Sequence, residues 1–224
     1  PDRDFVFGGT IVSNGDVGYH GRSEKDRLNM TGTTHGSIEC INGQWYVFYH
    51  RLTHKSDYSR QACAEPITIL PDGSIPQVEI TSCGLNGKPL HGTGTYPAVI
   101  ACNITNGHMP HGSNKIYTDS FPNATHCGED RFIGEIQDGT MLGYKYFAFS
   151  GAKEIGVQYR GSCNGKFVVS DDMDGKNIVA EIPVAPANAW TESRAPLHIS
   201  DGTHPLYLFY RGDGEAAVKE LYLA

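Results

Sequence analysis

Helical periodicity is nearly absent from this chain, and that absence constrains its fold more than any single motif. Short apolar runs such as FVFGGTIVS (5–13), WYVFYHR (45–51), AEPITIL (64–70), GYKYFAF (143–149), IGVQYRG (155–161), KFVVS (166–170), NIVAEIPVA (177–185) and LYLFYRG (206–212) are punctuated by Gly, Asn, Asp and Pro. Runs of that length, rich in aromatic and β-branched residues, read as strands, and the 27 glycines fit many tight turns. The expected fold class is all-β, a sandwich or a propeller.

The Gly- and Pro-rich stretch from Leu85 to Pro97, LNGKPLHGTGTYP, marks a boundary. It divides the chain into residues 1–90 and 91–224. The second part has the usual size of one β-sandwich. The first is long enough for about two propeller blades at ~40–45 residues each, too few to close a ring. Within it, Asn42-Gly43 sits between SIECI and QWYVFYHR as a hairpin turn signal. His35 precedes that hairpin in a His-Gly-Ser turn. Local turn chemistry accounts for it if Gly36 takes an unusual backbone angle.

A net charge of −7 and the lack of any Lys/Arg run exclude a nucleic-acid surface. No apolar stretch approaches the ~20 residues that span a bilayer, so no membrane role is expected. The opening Pro1-Asp2-Arg3-Asp4 is not the h-region of a signal peptide, and without an initiator Met it suggests a cut or processed start. Six cysteines, at 40, 63, 83, 102, 127 and 163, contain no C-x-x-C; each lies in or beside an apparent strand, as a buried free thiol would. Asn-x-Thr sequons at Asn29, Asn103 and Asn123 lean the localisation weakly towards the extracellular side.

Most motif-scale chemistry is missing. There is no G-x-S-x-G elbow and no P-loop, and GDGEAA at Gly212 is followed by strand residues rather than a helix. His108 and His111 have H-x-x-H spacing, but Pro110 between them argues against a helical metal pair. Asp171, Asp172 and Asp174 read as a hairpin turn better than as a calcium loop. Glu39, Glu65 and Glu79 alternate with apolar neighbours as strand residues do, and nothing in their spacing marks a catalytic pair.

From Phe5, FVFGGTIVSNGD, then GTTHGSIECINGQWYVFYHR, then SRQACAEPITILPDGSIP resemble glycoside hydrolase family 43, in the family's order over about 80 residues. That family consists of five-bladed β-propellers that remove arabinofuranosyl or xylosyl units from plant polysaccharides. The resemblance is to the arabinofuranosidase/xylosidase branch with an appended sandwich. It implies that His35 points into the propeller cavity and ligates or supports a metal, often Ca2+. It also implies that Arg60 faces the sugar pocket, where a guanidinium donates fixed hydrogen bonds and acidifies a neighbouring carboxyl; a surface strand arginine is the alternative. The family's inverting mechanism uses an Asp base, a Glu acid and a second Asp. All three are expected upstream of Pro1, so this chain is assigned no catalytic residue.

GYKYFAF, IGVQYRG, GKFVVSDDMDGKNIVAEIPV, Trp190 and HPLYLFYRGDGEAAVKELYLA resemble a family 6-like carbohydrate-binding module, a jelly-roll β-sandwich. Trp190, in the loop-like ANAWTESRAP, becomes the candidate sugar platform, with core packing as the alternative. Tyr159 and Tyr210 are expected in the core. TYPAVIACN replaces the module's usual acidic opening, and Glu220 stands where an Asp is frequent, so its structural calcium is not expected.

The resulting expectation is a partial five-bladed propeller followed by a jelly-roll sandwich. It would be part of a glycosidase acting on terminal α-L-arabinofuranosyl or β-D-xylosyl linkages of plant hemicellulose. The alternative is a non-catalytic carbohydrate-binding protein that uses the sandwich. Expected partners are a plant polysaccharide or oligosaccharide and the missing N-terminal propeller blades. The front piece, with open strand edges, is expected either to pack on the sandwich or to recruit another polypeptide.

Overall fold

The structure is a computed structural model that describes residues 4, 6–112 and 120–224. Among these residues it is all-β, with short 3-10 turns and no α-helix. The start of the FVFGGTIVS run at Phe5, the opening Pro1 to Arg3, and Ser113 after the H-x-x-H pair lie outside the described residues.

The front forms one antiparallel sheet, β1 (Ser37–Ile41), β2 (Gln44–Thr53) and β3 (Ser56–Ile67), in that order. Asn42 and Gly43 both have positive φ, +50° and +84°, as the tight turn between β1 and β2 demands. The second hairpin turn does the same with His54 and Lys55, at +56° and +50°. Neither residue is a glycine, so sequence chemistry alone does not announce that turn. Of two blades' length of chain, this sheet is the part built as a ladder. Residues 6–36 and 68–89 are otherwise coil and 3-10 turns, and the described part of FVFGGTIVS is not a strand. Val6 and Phe7 there are 90% and 84% exposed, while Val12 packs beside Tyr49, Ile80 and Cys102, so that apolar run forms no ladder and reaches a core only near its end.

Strand pairing of the sandwich starts at β4 (Leu90–His91), followed by β5 (Gly94–Pro97), β6 (Asn103–Thr105), β7 (Asn123–Cys127), β8 (Asp130–Ile136), β9 (Met141–Phe149), β10 (Glu154–Gly161), β11 (Asn164–Ser170), β12 (Ile178–Val184), β13 (Ala187–Pro196), β14 (Gly202–Asp213) and β15 (Ala216–Leu223). One sheet runs β13-β10-β15-β8-β7 with β5 added on β15. The other runs β12-β11-β14-β9-β4 with β6 added on β9. Alternation places Ile155, Val157 and Tyr159 of β10 inward against Phe167 and Val169 of β11 and Leu208 and Tyr210 of β14, all buried in one core. Tyr159 and Tyr210 are therefore core residues, with their hydroxyls bonded to the Ala185 and Asn164 N–H groups.

The front packs on this sandwich through polar groups that have left water. Arg51 donates to the Val99 and Ala101 carbonyls. The Asn29 carboxamide donates to the Cys102 carbonyl and accepts from the Ile104 N–H. Lys145 of β9 meets Asp16 at 3.1 Å and Glu79 at 2.8 Å. Burial opposes the Lys145 charge, but Cys102, Asp16 and Glu79 more than offset it and hold the ammonium pKa above the ordinary lysine value. Apolar contacts add to this: Leu52 packs with Met30, Met109 and Phe121, and Leu28 with Met141 and Tyr207.

Candidate functional site

His35 is exposed at the mouth of the β1–β2 hairpin, its ring edge-on to His50 with centroids 4.5 Å apart. Gly36 does not have a positive φ; the left-handed residue of this turn is Thr33, at +49°. Gly36 is required for a different reason. A Cβ there would stand 1.9 Å from the Phe48 carbonyl oxygen, so only glycine lets the turn close onto β2. Beneath His35, His50 is buried, and its Nε2 has no hydrogen-bond partner among the described residues. Burial, then Arg60 and His35, lower its pKa, so His50 is held neutral.

Calcium prefers oxygen ligands, and among the described residues no three His, Cys, Asp or Glu side chains converge on one point. No protein cage for a metal ion forms around His35 among the described residues.

Arg60 is exposed on β3, two residues along from the partner of His50. Its Nε and Nη2 both donate to the Asp57 carbonyl, which fixes the plane of the guanidinium. Arg60 lines a cleft of about 600 Å³ between the front sheet and the sandwich. The opposite wall is the β7–β8 hairpin, with His126, Glu129 and Arg131. The walls are tied together at several points. The His54 N–H donates to the Ala124 carbonyl, the His54 and His126 imidazoles are hydrogen-bonded, and Lys55 pairs with Glu135. Burial, then His126 and Arg131, depress the His54 pKa. Nothing local in the sequence announces this wall. Residues 126–131 lie some seventy positions from Arg60, and no local motif connects them.

Trp190 is not in a loop. It lies on the edge strand β13, half-buried, with its indole N–H donating to Asp130 at 2.8 Å. The Arg160 guanidinium stands 4.3 Å above its ring, and Phe132 meets it edge-on at 5.5 Å. ANAWTESRAP looks like a loop because its charged and small residues belong to an exposed edge. The ladder to β10 overrides their weak strand propensity.

The remaining candidates resolve structurally. His111 bonds Thr31 while Met109 is buried, so H-x-x-H is a loop pinned at both ends. Asp172 accepts from the Lys176 and Asn177 N–H groups, which makes 171–177 a self-capped turn. Glu39 is exposed on β1, Glu79 is consumed by Lys145 and Tyr146, and Glu65 is buried beneath Tyr49 and Thr81. The sequons fail as acceptors, because Asn29, Asn103 and Asn123 are all buried, with exposures of 4%, 0% and 6%. Their carboxamides satisfy backbone or buried charged groups instead. All six cysteines are free thiols, and only Cys102 and Cys163 are fully buried.

Comparison with known proteins adds homology to this geometry. No family model matches the chain. A xylosidase/arabinosidase of Thermoclostridium stercorarium is 42% identical over 237 aligned residues, covering 100% of this chain and 49% of the relative. The chain is related to that protein along its whole length. It spans about half the length of that curated relative. A family 43 arabinoxylan arabinofuranohydrolase from Bacillus subtilis, solved with cellotetraose, superposes with a TM-score of 0.56 at 16% identity, over 96% of this chain and 43% of the other. A family 6 carbohydrate-binding module from Clostridium cellulolyticum, solved with xylose, gives 0.50 at 15% identity, over 60% of this chain and 98% of the module. At these identities the two structures establish the fold alone: an all-β front piece packed on a β-sandwich like that of the module.

Proposed function

We propose that this chain is part of an inverting glycosidase that hydrolyses terminal α-L-arabinofuranosyl or β-D-xylosyl linkages of plant hemicellulose. The observation that carries the reading is the 42% identity to a xylosidase/arabinosidase, which extends across the front piece as well as the sandwich. A sandwich acting alone as a binding module would leave the front without a use. In this reading the catalytic carboxylates come from polypeptide outside this sequence. Of the glutamates that the sequence singles out, Glu39 is exposed on β1, Glu79 is committed to Lys145 and Tyr146, and Glu65 to Tyr49 and Thr81.

Arg60 is the substrate-facing group of this reading. Held flat by Asp57, it presents fixed N–H donors to sugar hydroxyls and favours the ionised form of any carboxyl beside it. His35 would support a calcium ion from one side, with water and groups beyond this chain completing its shell; such an ion supplies positive charge beneath the sugar. Trp190 is retained as a sugar contact through the part of its ring that Arg160 and Phe132 leave open. The missing propeller blades are the proposed protein partner and a hemicellulose chain or oligosaccharide the proposed ligand. An extracellular location follows in this proposal from the polymer, not from the sequons.

Release of p-nitrophenol from aryl arabinofuranoside and xyloside tests the reading. The 224-residue chain should release none, and the protein with the additional blades should turn over at least one of the two. Arg60→Ala in that longer protein should reduce turnover at least tenfold. Equal turnover by the longer protein and its Arg60 variant would remove Arg60 from the site, and no turnover by the longer protein would sink the glycosidase reading.

A further inference from the structure

The cleft between the front sheet and the β7–β8 hairpin differs in charge from the rest of the molecule. The chain carries a net −7, yet this cleft is lined by two arginines, Arg60 and Arg131, against a single carboxylate, Glu129. Arg131 makes no ion pair among the described residues, and Arg60 spends Nε and Nη2 on a backbone carbonyl, which leaves its positive charge uncompensated. The two guanidinium groups stand on opposite walls, one from each body of the protein. The walls are held by the His54–His126 contact, the His54–Ala124 backbone bond and the Lys55–Glu135 pair, so the cleft exists before any ligand arrives. Its volume of about 600 Å³ admits a sugar residue with its neighbour, and Thr125 lines it with a neutral hydroxyl, while the Gln61 carboxamide is held by Arg51 and Val99 and the Thr53 hydroxyl by His54.

We propose that this cleft binds a carboxylate-bearing sugar, a uronic acid substituent on a hemicellulose chain, between Arg60 and Arg131. Planar guanidinium groups match a carboxylate with paired, charge-assisted hydrogen bonds, whereas a neutral pentose needs no net positive charge. The Thr125 hydroxyl would meet a sugar hydroxyl. The sandwich then supplies half of a recognition cleft through its β7–β8 hairpin and sets which decorated chains are accepted. The choice of a sugar as the carboxylate carrier rests on the glycosidase reading above; the excess of arginine does not.

The test is calorimetric titration of the full 224-residue chain with a glucuronic-acid-bearing xylobiose and, separately, with neutral xylotriose. The acidic sugar should bind at least about tenfold more tightly, the scale of one charge-assisted contact. Arg131→Gln, at an exposed position that the fold does not use, should bring the two affinities together. Glu129→Gln, which removes the competing carboxylate, should widen the preference for the acidic sugar over xylotriose. Equal affinities in the native chain, or an Arg131→Gln variant that keeps the preference, would overturn the proposal. So would inorganic sulfate displacing the acidic sugar at the sugar's own concentration, which would reduce the cleft to an unspecific anion site. The readout is a ratio of affinities and needs no turnover. Failure of the longer protein to release p-nitrophenol would count against the glycosidase reading alone.

Discussion

Glu65 shows how far the environment of one residue changes its chemistry. On β3 its side chain is 1% exposed as a residue, and it accepts from the Tyr49 hydroxyl and from both the N–H and the hydroxyl of Thr81. Burial raises its pKa from 4.5 to about 7, against the lowering effect of the Thr81 and Tyr49 bonds. A carboxyl whose pKa is higher in the folded than in the unfolded chain binds its proton more tightly when folded. Its contribution is fully present below pH 4.5 and is lost as pH rises through 7. The span corresponds to roughly 3 kcal/mol at most. His54 runs the other way: its depressed pKa gives stability above pH 6.5 that is lost as pH falls through the folded value. The two oppose each other in the native profile, so the informative quantity is a difference. Glu65→Gln, compared with the native chain by urea unfolding between pH 5 and 8, should close the gap in stability as pH rises. A gap that stays constant across that range would show that Glu65 does not titrate there.

At the scale of elements, the front sheet has an open side. Among the described residues β1 pairs with β2 alone, all five of its residues are exposed, and Ile38 and Ile41 are each more than a third exposed, as is Trp45 beside them. A flat edge of this kind is a template for pairing with another strand. Sedimentation velocity over a concentration series should show the 224-residue chain self-associating, and Ile38→Lys should shift it to the monomer. A native chain that stays monomeric throughout would mean that the edge is already protected. This sheet was also the most legible part of the sequence, because Asn42-Gly43 is a turn whose chemistry is entirely local. The neighbouring turn at His54-Lys55 was not legible, since its left-handed backbone is imposed by β2 and β3 closing on each other. β13 was hidden for a related reason: Ala187–Pro196 becomes a strand only because β10 is there to pair with it. Of the candidate site, Arg60 and His35 are candidates that family resemblance carries on local motifs. Arg131 and Glu129 could not, because only the docking of the two bodies brings them opposite Arg60.

At the scale of the whole molecule, the question is whether front and sandwich are one thermodynamic unit or two. A three-stranded sheet with an open edge has little core of its own, and much of its burial is against the sandwich. The polar ties reinforce this, for Lys145 of the sandwich is the charge partner of both Asp16 and Glu79 of the front. Separating the bodies would leave two carboxylates and an ammonium to be resolvated together with the apolar contacts, so partial opening has no stable stopping point. The two tryptophans of the chain report on this, since Trp45 lies in the front sheet and Trp190 in the sandwich. In Trp190→Phe the remaining fluorescence follows the front, and in Trp45→Phe it follows the sandwich. Within each variant the fluorescence midpoint in urea should coincide with that of far-ultraviolet circular dichroism. Lys145→Ala, which strands two carboxylates in the junction, should destabilise the chain by about 3 kcal/mol or more and should do so for both probes alike. If only the Trp45 signal moves, the sandwich is an independent domain and the front a loosely held appendage. The Arg60–Arg131 cleft would then form only while the two happen to be docked.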